Sequence, residues 1–307
     1  MKTDAECLPC FIRQALQVAK VAGCSPAVQM EVVKKVAEIV AGLDSELDPP
    51  ANAEYVYRAI AAVTGNDDPY RQLKIASNEQ ALKIIPAISH EIEGGGGKLA
   101  AIVRFAIAGN CIDYGAFASV DILGALDACR NNPLAVDHIA HLQERIESLA
   151  KGAEVLYLAD NSGEIVYDRL LIKYLFERGL KITLAVKDGP IINDALLEDA
   201  RAAGLDSFAR IISNGSRCPG TVLPRCSEEF RRLFAAADLV ISKGQGNFES
   251  LSEESREIFF LLMIKCGVAA KHIAELSGIN GEHLPGRGEM ALYSSALRQQ
   301  HPKTHKG

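Results

Sequence analysis

Three short stretches hold residues whose types and spacing suit chemistry on a phosphate. "LYLADNSGEIVYDRLL" (156–171) runs from an apolar segment into Asp160, Asn161, Ser162, Gly163 and Glu164. "KDGPIINDAL" (187–196) brings Asn193 and Asp194 ahead of a helical pattern, and "ISKGQGNFESL" (241–251) follows an apolar run with Lys243, Gly244, Asn247 and Glu249. Asp160, Asn161 and Asp194 offer hard oxygen ligands without thiol or imidazole. That set suits Mg²⁺ or Mn²⁺ keeping several waters and awaiting a phosphate better than it suits zinc. Lys243 supplies a point positive charge, and the glycines beside it let backbone N–H groups approach an anion. The plainer alternative is that Asp-Asn and Asn-Asp simply cap helices and that Gly163 and Gly244 only make turns. Either pair alone favours capping; two pairs and a Lys-Gly loop on successive strand exits favour a site.

The elements that must position these groups follow from the pattern of apolar residues. From residue 11 to about 150 the spacing i, i+3, i+4, i+7 recurs, as in "FIRQALQVAKVAG" and "AVQMEVVKKVAEIVAGL", and predicts helices throughout. Breaks fall at Gly23 to Pro26, at "DSELDPPANA" and at "TGNDDPYRQ", and Gly94 to Gly97 read as a joint. After Gly152 short runs rich in Val, Ile and Leu ("EVLYLAD", "KITLAVKDG", "ARIISNG", "ADLVISKG", "IFFLLMIKCG") alternate with helical segments. That alternation predicts parallel strands with crossover helices. The expected fold is α/β, a three-layer α/β/α doubly wound, mainly parallel sheet with an α-helical N-terminal domain. Residues 1–150 would form the helical domain and 151–307 the α/β domain. In such sheets ligands bind beyond the carboxyl ends of the strands, where the three polar stretches fall.

Composition narrows the classes. The 307 residues are 48% hydrophobic, ample for a large core, and carry 33 basic against 39 acidic residues for a net charge of −6. With no basic run interleaved with aromatics, nucleic acid is not an expected partner. "MKTDAECLPC" has acids and cysteines where a signal peptide needs an apolar core, and no apolar run approaches the roughly 18 residues of a membrane span. A cytoplasmic protein with no membrane association is expected. The eight scattered cysteines suggest reduced thiols. Cys7 and Cys10 have the spacing of a redox or metal pair, yet a completing pair is missing from the sequence pattern, and a structural or accessory role is expected.

The three stretches, in this order and spacing, resemble the metal-dependent damage-control phosphatase family, formerly a domain of unknown function. The similarity extends to "CLPCFIRQAL" (7–16), "DPYRQLKIASN" (68–78) and "AIAGNCIDYGAF" (106–117), and the N-terminal Cys-x-x-C resembles the family's microbial branch. The resemblance implies a divalent metal (Mn²⁺, Mg²⁺, Co²⁺ or Ni²⁺) at Asp160, Asn161 and Asp194, with Lys243 and Asn247 on the substrate phosphate. It implies hydrolysis of phosphate monoesters of small metabolites, sugar phosphates or phosphorylated cofactor precursors. Attack by metal-activated water is favoured over an aspartyl phosphate at Asp160. Asn110 and Asp113 are helix-end residues on spacing alone; the resemblance tips them to the pocket. Gly244 is counted with the phosphate loop, and Glu249 serves either as general base or as a charge near a helix start. Two other functions stay open: an S-adenosylmethionine-dependent carboxyl methyltransferase, for which no separate glycine-rich fingerprint is found, and a non-enzymatic thiol-metal protein. Oligomeric state is open.

Overall fold

The computed structural model describes residues 1–94, 98–109 and 133–299. Helices α1 (Cys7–Val21), α2 (Pro26–Val40) and α3 (Pro49–Thr64) start and stop where the turn residues fall. Ser25 and Asp48 cap α2 and α3 with their side-chain oxygens, each followed by a proline in the first turn, and Gly65 ends α3 in the left-handed conformation. Their apolar stripes meet in one cluster that includes Phe11, Ala15, Val32, Val36, Val56 and Ile60. Ile191, from a loop of the sheet, packs into the same cluster and ties it to the rest of the molecule.

Helices α4 (Arg71–Gly94) and α5 (Lys98–Ala108) belong elsewhere. Ile85, Ile88, Phe105 and Ile107 share a core with strand residues Val155, Tyr157, Ile182, Leu184, Ile241 and Leu261. These two helices therefore form part of a layer over the sheet. The remaining elements are β1 (Val136–Asp137), α6 (Ile139–Glu147), β2 (Glu154–Leu158), α7 (Glu164–Phe176), β3 (Lys181–Val186), α8 (Leu197–Ala202) and β4 (Ala209–Ser213). They continue with α9 (Glu228–Ala236), β5 (Leu239–Lys243), α10 (Gln245–Leu251), β6 (Phe259–Ile264), α11 (Gly267–Ser277) and β7 (Glu289–Ser294).

The seven strands lie in the order β1-β7-β6-β5-β2-β3-β4. All pairings are parallel except β6 with β7. Alternate residues point to opposite faces: Tyr157 and Ile241 to the core under α4, α5 and α7, Leu156 and Val240 to the core under α9, α10 and α11. This is the three-layer α/β/α arrangement with a mainly parallel sheet. The sequence boundary at 150 meets a finer division, since β1 pairs with β7 and α4 and α5 lie on the sheet. A two-residue strand is too short to carry a periodic signal, which is why the helical reading passed over it.

The chain leaves β2 toward β3 and β4 on one side, whereas β5 leads to β6 on the other. The carboxyl ends of neighbouring β2 and β5 thus flank the point where the winding reverses, the place where such sheets open a crevice.

Candidate active site

The exits of β2 and β3 are zipped together by backbone. Asn161 and Asp194 form an isolated antiparallel bridge, Ser162 N donates to Asn193 O at 2.8 Å, and Ala195 N donates to Asp160 O at 2.8 Å. Neither acid caps a helix. Helix α7 begins after Gly163 without a side-chain cap, and the N–H of Leu196 ahead of α8 is taken by Asp199 Oδ2 at 2.8 Å. The capping alternative for Asp160 and Asp194 is thereby removed: Asp160 Oδ2 accepts from Asn161 Nδ2, and Asp194 lies beside Lys187. Asn78 of α4 braces the pair of loops, accepting from Gly163 N at 2.6 Å and donating to Asp199 Oδ1 at 2.7 Å. Ile192, two residues before Asp194, has φ 46°. A β-branched residue in that region is strained, and strain of this kind concentrates at functional loops.

The side chains gather a large buried charge. Asp160, Glu164, Asp168 and Asp194 are all buried, as are Lys187 and Lys243. With all four carboxyls ionised against two ammoniums, two negative charges would be in excess out of water, which is costly unless a cation or protons offset them. The acids respond accordingly. Burial, then the neighbouring Glu164, push Asp160 up to about 6. Burial pushes Asp194 well above the ordinary carboxylate range, with Lys187 opposing and Asp160 adding to it. Asp168 rises to about 7, again chiefly by burial. Asp194 Oδ2 has no hydrogen-bond partner among the described residues, and the nearest ammonium, Lys187 Nζ, is 3.6 Å away.

These features fit a divalent cation: an orphaned buried carboxylate oxygen, an amide beside it and four carboxyls against two ammoniums. Asp160, Asn161 and Asp194 are the residues that would hold it. Among the described residues no group of three or more His, Cys, Asp and Glu is arranged to hold a metal. The donor set here therefore rests on two carboxylates and an amide, with water and phosphate to complete it.

Lys243, expected to contact the substrate phosphate, sits inside the protein. Its ammonium is fully buried and donates to Ala106 O at 2.7 Å, Glu164 Oε1 at 2.7 Å and Asp168 Oδ1 at 2.6 Å. All three protons have acceptors inside the protein; burial alone would lower its pKa, but the two carboxylates together raise it above the ordinary lysine value. Asp168 also accepts from Tyr157 Oη at 2.8 Å. Two lysines that the motif reading passed over face the acids. Lys187 donates to Gly220 O at 2.9 Å and lies beside Asp194. Lys265, exposed just beyond β6, is foremost among the cations that favour ionised Asp160. The signal for both was their position: each is the first residue after a strand.

Asn247 is buried and committed to the scaffold, donating to Lys243 O at 2.8 Å and Ala159 O at 3.2 Å and accepting from Thr221 Oγ1 at 2.7 Å. It ties the β2 and β5 exits together. Gly244 has φ 81°, and a Cβ there would overlap the Asp160 carboxylate. Glu249 lies within α10, not at its start; it accepts from Gln245 Nε2 at 2.7 Å, and desolvation raises it to about 7. Asn110 and Asp113 lie outside the described residues. Cys7 and Cys10 are free thiols on the first turn of α1, raised by burial, and Cys266 caps α11.

A cavity of about 240 Å³ opens between α3 and the β3 exit, lined by Tyr57, Arg58, Tyr70, Ile191, Ile192 and Arg217 among others. The acids do not line it; it reaches them through Ile191, whose carbonyl accepts from Asp194 N at 3.0 Å. The field of Asp194 also reaches buried Tyr57. The Arg217 guanidinium packs against Gly189, where a Cβ would collide with it.

Fold and site together define an α/β/α protein with an acidic centre at the sheet's switch point. The damage-control phosphatase ARMT1-like domain matches residues 3–278, and the chain belongs to that family. It is 34% identical over 277 residues to a damage-control phosphatase of Pyrococcus horikoshii, covering 89% of this chain and 94% of that protein. A damage-control phosphatase of Archaeoglobus fulgidus is 31% identical over 278 residues, covering 89% and 96%. The crystal structure of a DUF89-family protein from Pyrococcus horikoshii superposes with a TM-score of 0.85 at 31% identity, over 96% of this chain and 99% of that one. These relatives support a phosphatase role. No helix among the described residues is long and apolar enough to cross a membrane.

Proposed function

We propose that the protein is a divalent-metal-dependent phosphatase that hydrolyses phosphate monoesters of small metabolites, sugar phosphates or phosphorylated cofactor precursors. The buried Asp194 Oδ2, without a hydrogen-bond partner among the described residues and near Asp160 and Asn161, in a cluster of four buried carboxyls against two ammoniums, carries this reading. A cation bound there supplies Lewis acidity toward a phosphoryl oxygen and toward water.

The chain's own groups do the rest. Lys187 has one hydrogen bond to Gly220 O and keeps N–H groups to offset charge on an incoming phosphate. Exposed Lys265 would steer and hold the same anion at the mouth. Glu249, raised to about 7 by burial and within the field of Asp160, is the group we assign to take up the proton lost by the attacking water. The cavity under α3 takes the organic part of the ester, and its modest size favours a small metabolite. Lys243, in this reading, keeps the buried acids ionised and in place.

Phosphate release from a panel of sugar phosphates and phosphorylated cofactors, with Mn²⁺, Mg²⁺, Co²⁺ or Ni²⁺ and with chelator, tests the proposal. Chelator-sensitive release that Asp194→Ala abolishes is expected; a panel without such release overturns it. Acid-quenched single turnovers reduced with borohydride separate the routes: direct attack by water leaves Asp160 unmodified, whereas an aspartyl phosphate would be trapped there.

A further inference from the structure

We propose that Glu164 is a positioning residue that fixes the orientation of the Asn161 amide, and so the ligand set, by linking it to buried Lys243. The inference rests on the metal-dependent reading above and concerns a residue outside the metal and phosphate sets assigned so far.

Glu164 opens α7 and is buried. Its two oxygens do different work. Oε1 accepts from Lys243 Nζ at 2.7 Å, and Oε2 accepts from Asn161 Nδ2 at 3.0 Å. The same Nδ2 donates to Asp160 Oδ2 at 2.6 Å. A primary amide has two N–H donors, and here both go to carboxylate oxygens. Ionised carboxylates only accept, so the neighbours themselves dictate which end of the amide is nitrogen. The Asn161 carbonyl oxygen is turned from these acids and is left as a hard donor.

Lys243 makes that orientation durable. Its ammonium is held by Ala106 O and Asp168 as well as by Glu164, so the carboxylate of Glu164 cannot swing without leaving one N–H of a buried ammonium unsatisfied. The relay runs Lys243, Glu164, Asn161, Asp160, with each link at hydrogen-bond distance. Support of this kind behind a ligand is worth about 10- to 100-fold in metal affinity.

A double-mutant cycle read by calorimetric Mn²⁺ titration of the full chain tests it. Glu164→Gln cannot accept from both partners, and its affinity for Mn²⁺ should fall about 10-fold or more. Asn161→Ala should also weaken binding, and Glu164→Gln added to Asn161→Ala should cost little beyond Asn161→Ala alone. Asp168→Asn leaves Glu164 and Ala106 O on Lys243 and does not touch Asn161, so Mn²⁺ affinity should stay within about 3-fold of wild type, and a loss as large as that of Glu164→Gln overturns the proposal. Additive losses in the cycle, or a Glu164→Gln protein that binds Mn²⁺ like wild type, overturn the proposal and leave the phosphatase reading intact. If Glu164→Gln does not fold, Glu164→Asp, too short to span both partners, replaces it with the same expected and overturning results. A wild-type chain that takes no Mn²⁺ but still releases phosphate overturns the metal reading together with this one.

Discussion

Gly244 and the carboxylate of Asp160 occupy adjoining space: any side chain at 244 would overlap Asp160. The β5 exit also takes φ 81° at this residue, which glycine adopts without strain. Two independent constraints, one steric and one conformational, therefore select the same residue, and the acid can approach the loop only because of it.

Gly244→Ala should accordingly displace Asp160. Strain at a positive φ costs about 1 to 3 kcal/mol, and a displacement of about 1 Å at a reacting centre costs on the order of 100-fold in rate. Steady-state kinetics beside a thermal melt should show a kcat loss out of proportion to the stability loss. A variant with wild-type kcat would remove Asp160 from the chemistry.

Asp160, raised to about 6, and Asp168, raised to about 7, bind protons in the folded chain at pH values where the unfolded chain has released them. For acids shifted in this direction the metal-free protein loses stability as pH rises from about 4 to about 7. A cation competes with those protons, so the gain in melting temperature on adding Mn²⁺ should grow across the same window. At about 100 times its dissociation constant the ion should add roughly 5 °C near pH 7.5 and clearly less near pH 5. Equal shifts at both pH values in differential scanning fluorimetry would contradict this. Asp160→Asn should flatten the trend.

Lys243→Met leaves Glu164 and Asp168 buried without their shared cation. Breaking such a group by removing one partner costs about 3 to 5 kcal/mol. Urea unfolding should register that loss. Lys187→Gln, by contrast, should lower kcat with a smaller stability cost, because Lys187 pairs with one buried carboxylate, at 3.6 Å, where Lys243 pairs with two at hydrogen-bond distance. If the two lysines exchange these phenotypes, the roles given them here are reversed.

Arg217 is exposed at the rim of the cavity and makes no hydrogen bond or ion pair among the described residues. Arg217→Ala should leave the melt within about 0.5 kcal/mol of wild type, as surface changes usually do. KM for the preferred phosphate ester should rise several-fold with kcat nearly unchanged, the pattern of lost uniform binding. Unaltered KM across the substrate panel would place the organic group elsewhere.

Local chemistry was legible along the chain because it is written in periods and turn residues. Val-, Ile- and Leu-rich runs ending in Asp, Asn or Gly marked β2 to β6, the prolines and Gly65 marked the ends of α2 and α3, and the strand exits marked Asp160, Asn161 and Asp194. Strand β7, whose "EMALYS" run lies among loops, and two-residue β1 gave no such signal, since pairing with a distant strand is what makes either one a strand. The same limit governs the lysines. A Lys-Gly loop at a strand end looks like an anion site in one dimension; only packing reveals that α5 and α7 surround Lys243 with Ala106, Glu164 and Asp168, while Lys187 is left facing Asp194. Sequence sets which groups leave the sheet and at which edge, because strand direction and turn chemistry are local. Tertiary structure alone decides which charges meet, because a buried ion's partners are chosen by proximity in space and the cost of leaving it unpaired.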